Sequence, residues 1–241
     1  MALIKTIKDL EKFYEKHKNL FDNPDVEVVL PEVEILEENY YSDPQWWEKI
    51  LRKLERAIRT AYQSFDRIWP DSHYKLLKHI LTLQHLSTIE HEKITFKVIT
   101  NRGVTHELVR HRIASYTQES TRYVKYWQKH GYKIIYPAWI IEKPEEQVKE
   151  WYNFHTKIAQ TYWKFLNDRW WKPQEARWIL PNDLKTEIIV TMNLRELRHF
   201  FTLRCHSAAH PDIRVVALTL LDMLHSKIPL IFDDLYYEFF K

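Results

Sequence analysis

The spacing of apolar positions along this chain changes several times, and each change marks an element. Residues 6–20 mix charged and apolar side chains at helical spacing and read as an exposed N-terminal helix. Residues 26–36 alternate acidic with β-branched side chains, which predicts one or two short strands broken at Pro31. Asp43-Pro44 opens a helix with a cap and a first-turn proline, and Trp47, Ile50, Leu51, Leu54, Ile58, Ala61 and Tyr62 form its apolar side. Asp71 or Ser72 caps the next helix, which buries Leu76, Leu77, Ile80, Leu81 and Leu83. Residues 94–99 read as a strand, 101–103 as a turn, and about 104–114 as a short helix. Residues 116–127 read as extended, and 133–141 as another strand. Pro144 starts a long helix with Val148, Trp151, Tyr152, Ile158, Tyr162, Phe165 and Leu166 inward. A short helix from Pro173, a strand over 187–192, a helix over 194–203 and a final apolar helix over 211–227 complete the chain. The sum is an α+β fold, a single domain with several helices packed on a small, mostly antiparallel sheet.

Bulk properties narrow the function classes. With 241 residues and 45% hydrophobic content, one globular core is the default. No run approaches the roughly eighteen apolar residues that span a bilayer, so no membrane is expected. The first eighteen residues are charged throughout and lack the apolar centre of a signal peptide. Cys205 is the single cysteine, so no internal disulfide forms and a cytoplasmic location fits. Thirty-six basic and 33 acidic side chains leave a net charge of +3, too balanced to imply nucleic acid by charge alone. Anion binding must come from local clusters.

The densest such cluster is Arg110-His111-Arg112, followed after seven residues by Ser120, with Arg122-Tyr123 just behind. The chain has only two glycines, Gly103 and Gly131, so neither a GxGxxG turn nor a P-loop exists. Phosphates would have to be held by side chains and by amides outside any glycine loop. On a helix, successive residues are rotated by about 100°, so the three cationic or titratable groups would touch separate parts of an extended ligand. Alone, such a triplet reads more readily as a solvated basic helix end. Ser120 and Arg122 lie two apart in an extended segment and point the same way, a reasonable phosphate clamp.

Other features read as structural. Adjacent helical positions place Cys205 and His206 poorly for a thiol–imidazole pair, so Cys205 reads as buried and inert. His206 and His210 have a spacing that chelates zinc on a helix, but Pro211 starts a new helix there, and no metal is expected. Ser120 lacks the elbow of a serine nucleophile. The tryptophans at 46–47, 69, 151, 163, 170–171 and 178 read mostly as core or subunit contacts. Residues 122–130, RYVKYWQKH, interleave basic and aromatic side chains, and support an alternative as a single-stranded nucleic-acid-binding module.

The string RHRIASYTQESTRY resembles the flavin-dependent thymidylate synthases, and the resemblance extends over about residues 60–225. It takes in His85-Leu-Ser87 upstream, and Arg177 before Leu180-Pro181, Asn193-Leu194-Arg195, His199 and Leu203-Arg204 downstream. The resemblance implies reductive methylation of dUMP to dTMP, with methylenetetrahydrofolate as carbon donor and FAD, reduced by NADPH, as hydride carrier. It implies a homotetramer whose active sites are shared between subunits, with residues 26–241 as the catalytic domain and 1–25 as a helical extension. It assigns FAD contacts to His85, Ser87, Arg110, His111, Arg112, Gln118, Asn193, Leu194, Arg195 and His199. It assigns dUMP contacts to Glu107, Leu108, Val109, Arg110, Gln118, Glu119, Ser120, Thr121, Arg122, Arg177 and Arg204. Arg204 matches the arginine that polarises the uracil ring and is the catalytic residue implied. Gln118 stands where some members have glutamate, and His199 where others have asparagine. A flavoenzyme acting on another nucleotide is the remaining alternative.

Overall fold

The computed structural model describes residues 4–127 and 131–241. In chain order its elements are α1 (Ile7–His17), β1 (Val26–Val29), β2 (Glu32–Ile35), α2 (Glu38–Ser42), α3 (Trp46–Tyr62), α4 (Ser72–Thr82), β3 (Lys93–Asn101), α5 (Arg102–Leu108) and β4 (Ala114–Gln118). They continue with β5 (Tyr132–Ile135), α6 (Glu145–Asn167), α7 (Pro173–Ala176), β6 (Lys185–Asn193), α8 (Leu194–Arg204), α9 (Pro211–His225) and α10 (Pro229–Phe240).

Four strands form an antiparallel sheet in the order β2-β3-β6-β4, so the expected α+β fold on a small antiparallel sheet holds. A separate parallel pair joins β1 to β5. Period-two burial explains the sheet's sidedness. Ile94, Phe96 and Val98 of β3 stand opposite Met192, Val190 and Ile188 of β6, and all six are buried beneath the helices. This core takes its helical half from α3, α4, α8, α9 and α10. A second core gathers β1, β5 and α6. Leu10 of α1 is buried in it, so the N-terminal helix docks rather than standing exposed.

Tertiary demands shift several predicted boundaries. The helix expected over 104–114 stops at Leu108, because β4 claims Ala114 to pair with Met192 on β6. The strand expected over 133–141 stops at Ile135, just before Pro137, whose ring nitrogen has no hydrogen to donate. The sequence over 211–227 predicts the last helix, yet Pro229 starts a further one, α10, which buries Ile231, Phe232 and Leu235. Ala61, Tyr62 and Leu83 are exposed, because the ends of α3 and α4 overrun the core. Trp46 is buried, whereas Trp69, Trp163, Trp170, Trp171 and Trp178 are exposed, so a core role fails for those five.

Candidate functional site

A cleft of about 780 Å³ opens between the segment after α5 and the exposed side of α8. Arg110, His111, Arg112, Asn193, Arg195, His199 and Arg204 line it, together with Glu196, Glu90, Gln84 and Leu86. The triplet is not helical. Arg110 lies in the turn closing α5, and His111 and Arg112 lead out of it toward β4. The Tyr116 hydroxyl pins this turn from the strand, 2.8 Å from the Leu108 carbonyl and 2.6 Å from that of His111. Burial pushes that phenol up to about 12, so it remains a donor.

A chain of hydrogen bonds crosses the cleft floor. Arg204 donates from Nε to His111 Nε2 at 3.1 Å, from Nη1 to Glu107 Oε2 at 2.7 Å, and from Nη2 to the Glu107 carbonyl at 3.3 Å. A guanidinium never loses its proton at ordinary pH, so His111 Nε2 must be the acceptor. The imidazole proton therefore sits on Nδ1 and is donated to Glu196 Oε1 at 3.2 Å. Burial, with help from the Arg204 and His199 charges, pushes His111 down to about 4. Burial raises Glu196. At neutral pH the His111–Glu196 contact is thus a neutral imidazole donating to a carboxyl oxygen, not an ion pair.

Asn193 caps α8, its Oδ1 accepting from the Glu196 amide at 2.8 Å. Asn193-x-x-Glu196 has the spacing of a capping box, which hides the glutamate from sequence reading as a structural residue. Its carboxylate goes to His111 instead. Glu90, Gln84 and Leu86 were also missed, and no residue pattern singles them out. Arg195 Nη1 lies 2.5 Å from Glu90 Oε1 across the rim. Arg110 and Arg112 are exposed cations beside the N-terminal turn of α8, a combination suited to phosphate oxygens. The volume is in the range of roughly 300–1,000 Å³ usual for ligand pockets, and the cationic lining fits a flavin dinucleotide.

Not every expected contact gathers here. His85 and Ser87 are exposed beside the cleft, where Gln84 and Leu86 form the lining. Leu108 and Leu194 are fully buried, so only their main chain could reach a ligand, and the Leu194 amide already donates to Glu92 O. Val109 is exposed on the turn.

The other half of the motif lies at the far end of β4. Gln118 Nε2 donates to Thr105 Oγ1 at 2.9 Å, and Glu119 Oε2 accepts from Lys185 Nζ at 3.2 Å. Both line a second cleft of about 460 Å³. Beyond it the chain turns at Ser120, whose carbonyl accepts from the Tyr123 and Val124 amides, so the extended run expected over 116–127 ends at Gln118 and strand alternation does not pair Ser120 with Arg122. Arg177 Nη1 donates to Thr121 Oγ1 at 3.4 Å, and Ser120 Oγ accepts from the Arg122 amide at 3.3 Å. Arg122 stacks over Tyr123 and Arg177 over Trp178. The structure therefore brings Arg122 and Arg177 to one end of β4, and Arg110 and Arg204 to the other. The basic-aromatic stretch 122–130 is described only as far as Trp127; residues 128–130 lie outside the described residues.

His111, Glu196 and His199 also offer nitrogen and oxygen atoms all within 4.8 Å of one another, a geometry able to hold a metal ion. Sequence reading weighed only His206 and His210 for that role. His206 Nδ1 accepts from the Ala208 amide, and His210 Nδ1 from that of Asp212. A cation among His111, Glu196 and His199 would have to displace the Nδ1 proton and sit beside Arg204. Cys205 is buried, and burial raises its thiol far above the range where a thiolate forms.

Residues 45–230 match the family model described as thymidylate synthase complementing protein. A flavin-dependent thymidylate synthase of Pyrococcus furiosus is 41% identical over 161 residues, covering 66% of each chain. One from Sulfolobus acidocaldarius is 35% identical over 196 residues, covering 80% of this chain and 73% of its own. Two solved structures share the fold. The UMP/dUMP methylase PolB of Streptomyces cacaoi, bound with 5-Br dUMP, aligns at TM-score 0.70 and 23% identity over 88% of this chain and 97% of its own. Thymidylate synthase X of Helicobacter pylori, with FAD and dUMP, aligns at 0.65 and 24% over 86% and 99%. With the motif, the fold and a family match spanning 45–230 in agreement, the chain belongs to the flavin-dependent thymidylate synthases.

Proposed function

We propose that this chain converts dUMP to dTMP, taking the one-carbon unit from methylenetetrahydrofolate and the hydride from FAD that NADPH has reduced. The observation that carries the proposal is the seating of Arg204. Three of the roughly five N–H donors of a guanidinium are fixed on His111 and Glu107, which leaves two for a ligand. A fixed cation at the pyrimidine's carbonyl edge favours the ring's enolate-like anion and makes C5 nucleophilic. Such preorganised charge is worth about 3 kcal/mol or more per donor, so no protein nucleophile is required. Bound flavin supplies hydride to the one-carbon adduct. Arg110, Arg112 and Arg195 supply charge for its diphosphate. Ser120, Arg122 and Arg177 supply hydroxyl and guanidinium groups for the nucleotide phosphate.

The same reading requires more than one chain per site. Seven residues separate Arg112 from Ser120 and include the edge strand β4. At about 3.3 Å per residue, the two ends stand on the order of 20–25 Å apart. A nucleotide whose phosphate sits at Arg122 and Arg177 then meets the Arg204 of another copy, in line with a homotetramer.

The test is tritium release from 5-tritiated dUMP by purified yellow protein, with NADPH and methylenetetrahydrofolate, in air and without it. Release that depends on both co-substrates is expected; a flavin-loaded protein that releases none overturns the proposal. Because the Streptomyces fold relative is a UMP/dUMP methylase, UMP belongs in the same assay, with dUMP expected to be preferred. A colourless protein with salt-sensitive oligonucleotide affinity would favour the nucleic-acid-binding alternative.

A further inference from the structure

We propose that Glu196 is a positioning residue for this reaction: its carboxylate holds the His111 proton on Nδ1, and His111 in that tautomer holds Arg204 in place. The inference rests on the proposed methylation and identifies what aims its cation.

Arg204 Nε can only donate, so it seats well on His111 only when Nε2 carries a lone pair. A neutral imidazole has two tautomers, and left alone it would exchange between them. In the wrong tautomer two N–H groups would face each other at 3.1 Å, and the guanidinium would have to swing away. Glu196 Oε1 removes that choice by accepting from Nδ1. It does so from a buried position, where an unmet donor is costly and the hydrogen bond is strong.

The surroundings of His111 support the same order. Phe200 packs its ring edge-on at 5.1 Å, and His199 lies at 5.8 Å. The main-chain carbonyl of His111 is held by Tyr116. The ring is therefore held against rotation and only its edge, about 4% exposed, meets the cleft. Glu196 itself is fixed by its place in the first turn of α8, directly after the Asn193 cap. On the opposite flank Glu107 grips the guanidinium by side chain and carbonyl. Glu196 thus acts on Arg204 through His111.

The test combines a spectrum and two variants. In histidine-labelled holoenzyme at pH 7, nitrogen NMR should show His111 protonated on Nδ1 and bare on Nε2. Glu196→Leu should remove that preference and lower kcat at least tenfold, with KM for dUMP changed less. Glu196→Gln keeps an acceptor oxygen, so it should retain the tautomer and recover most of the loss. A His111 protonated on Nε2 in the parent enzyme would overturn the proposal, and this reading needs no variant to fold. So would a flavin-loaded Glu196→Leu enzyme with parental kcat, or a Glu196→Gln enzyme as impaired as Glu196→Leu. Absence of dUMP turnover in the parent enzyme would sink the methylation reading instead and leave the tautomer measurement standing.

Discussion

The two ends of β4 are built differently. At its start, Arg204 is held on three sides by neighbours that are themselves held, with the buried His111 at the centre. At its end, Arg122 is an exposed side chain lying over Tyr123, and Arg177 makes one 3.4 Å hydrogen bond to Thr121. The first end is preorganised within a single chain, whereas the second presents charge and hydroxyls without a frame. Chemistry that stabilises a developing charge gains most from donors that need no rearrangement. Gripping a phosphate dianion tolerates looser donors, because charge and bidentate geometry do most of the selection.

The largest test of this contrast is Arg204→Ala. It should reduce dTMP formation by about 10²–10³-fold, while absorbance at the flavin band shows cofactor largely retained. Undiminished turnover would remove Arg204 from the chemistry. Next is complementation. Assayed at dUMP well below the parental KM, where both variants are impaired, Arg204→Ala and Arg122→Ala proteins should regain activity when unfolded, mixed and refolded together, because one assembled site can draw its intact halves from different chains. Mixtures as inactive as their components would show that each site is confined to one chain. Arg122→Ala and Arg177→Ala should each raise KM for dUMP roughly tenfold or more, the loss of a charge-assisted hydrogen bond, with kcat affected less; steady-state titration reads both.

A smaller effect concerns pH. His111 sits at about 4 in the folded chain, below the roughly 6.5 of an unfolded histidine. Between these values the unfolded chain binds the extra proton, so stability is full above about 6.5 and falls as pH drops toward 4. The histidine's share of that fall is about 3 kcal/mol at most. Thermal melts of the parent and of His111→Asn should diverge across this window, with the variant less sensitive. Parallel curves would contradict the buried neutral imidazole. The smallest change is Asn193→Ala, which removes the α8 cap and should cost about 1 kcal/mol in denaturant unfolding.

Much of this was legible from residues alone. Short runs rich in apolar and β-branched residues made β3 and β6 visible, and apolar helical spacing with a proline at the start marked α6 and α9. The end of α5 was not legible, because the pairing of Ala114 with Met192 is a long-range event that local pattern does not carry. The site divided in the same way. Arg110 and Arg112 stood out as a local cationic cluster, whereas Asn193, Arg195 and Arg204 came only from the resemblance to the family. Glu196 did not, since three residues after an asparagine it imitates a helix cap. Burial of Leu108 and Leu194 was also hidden, because a segment resemblance cannot say which residues face inward.

The seven-residue interval inside the motif is a ruler cut to the sheet and not to the ligand. Deleting or adding one residue within β4 would turn its following side chains over, placing Gln118 on the wrong face. Adding two would restore the faces but displace the phosphate-gripping end by about 7 Å, more than any side-chain adjustment could absorb. The motif's length is therefore constrained by backbone geometry even at positions such as Ser115 and Thr117, on the more exposed face of β4.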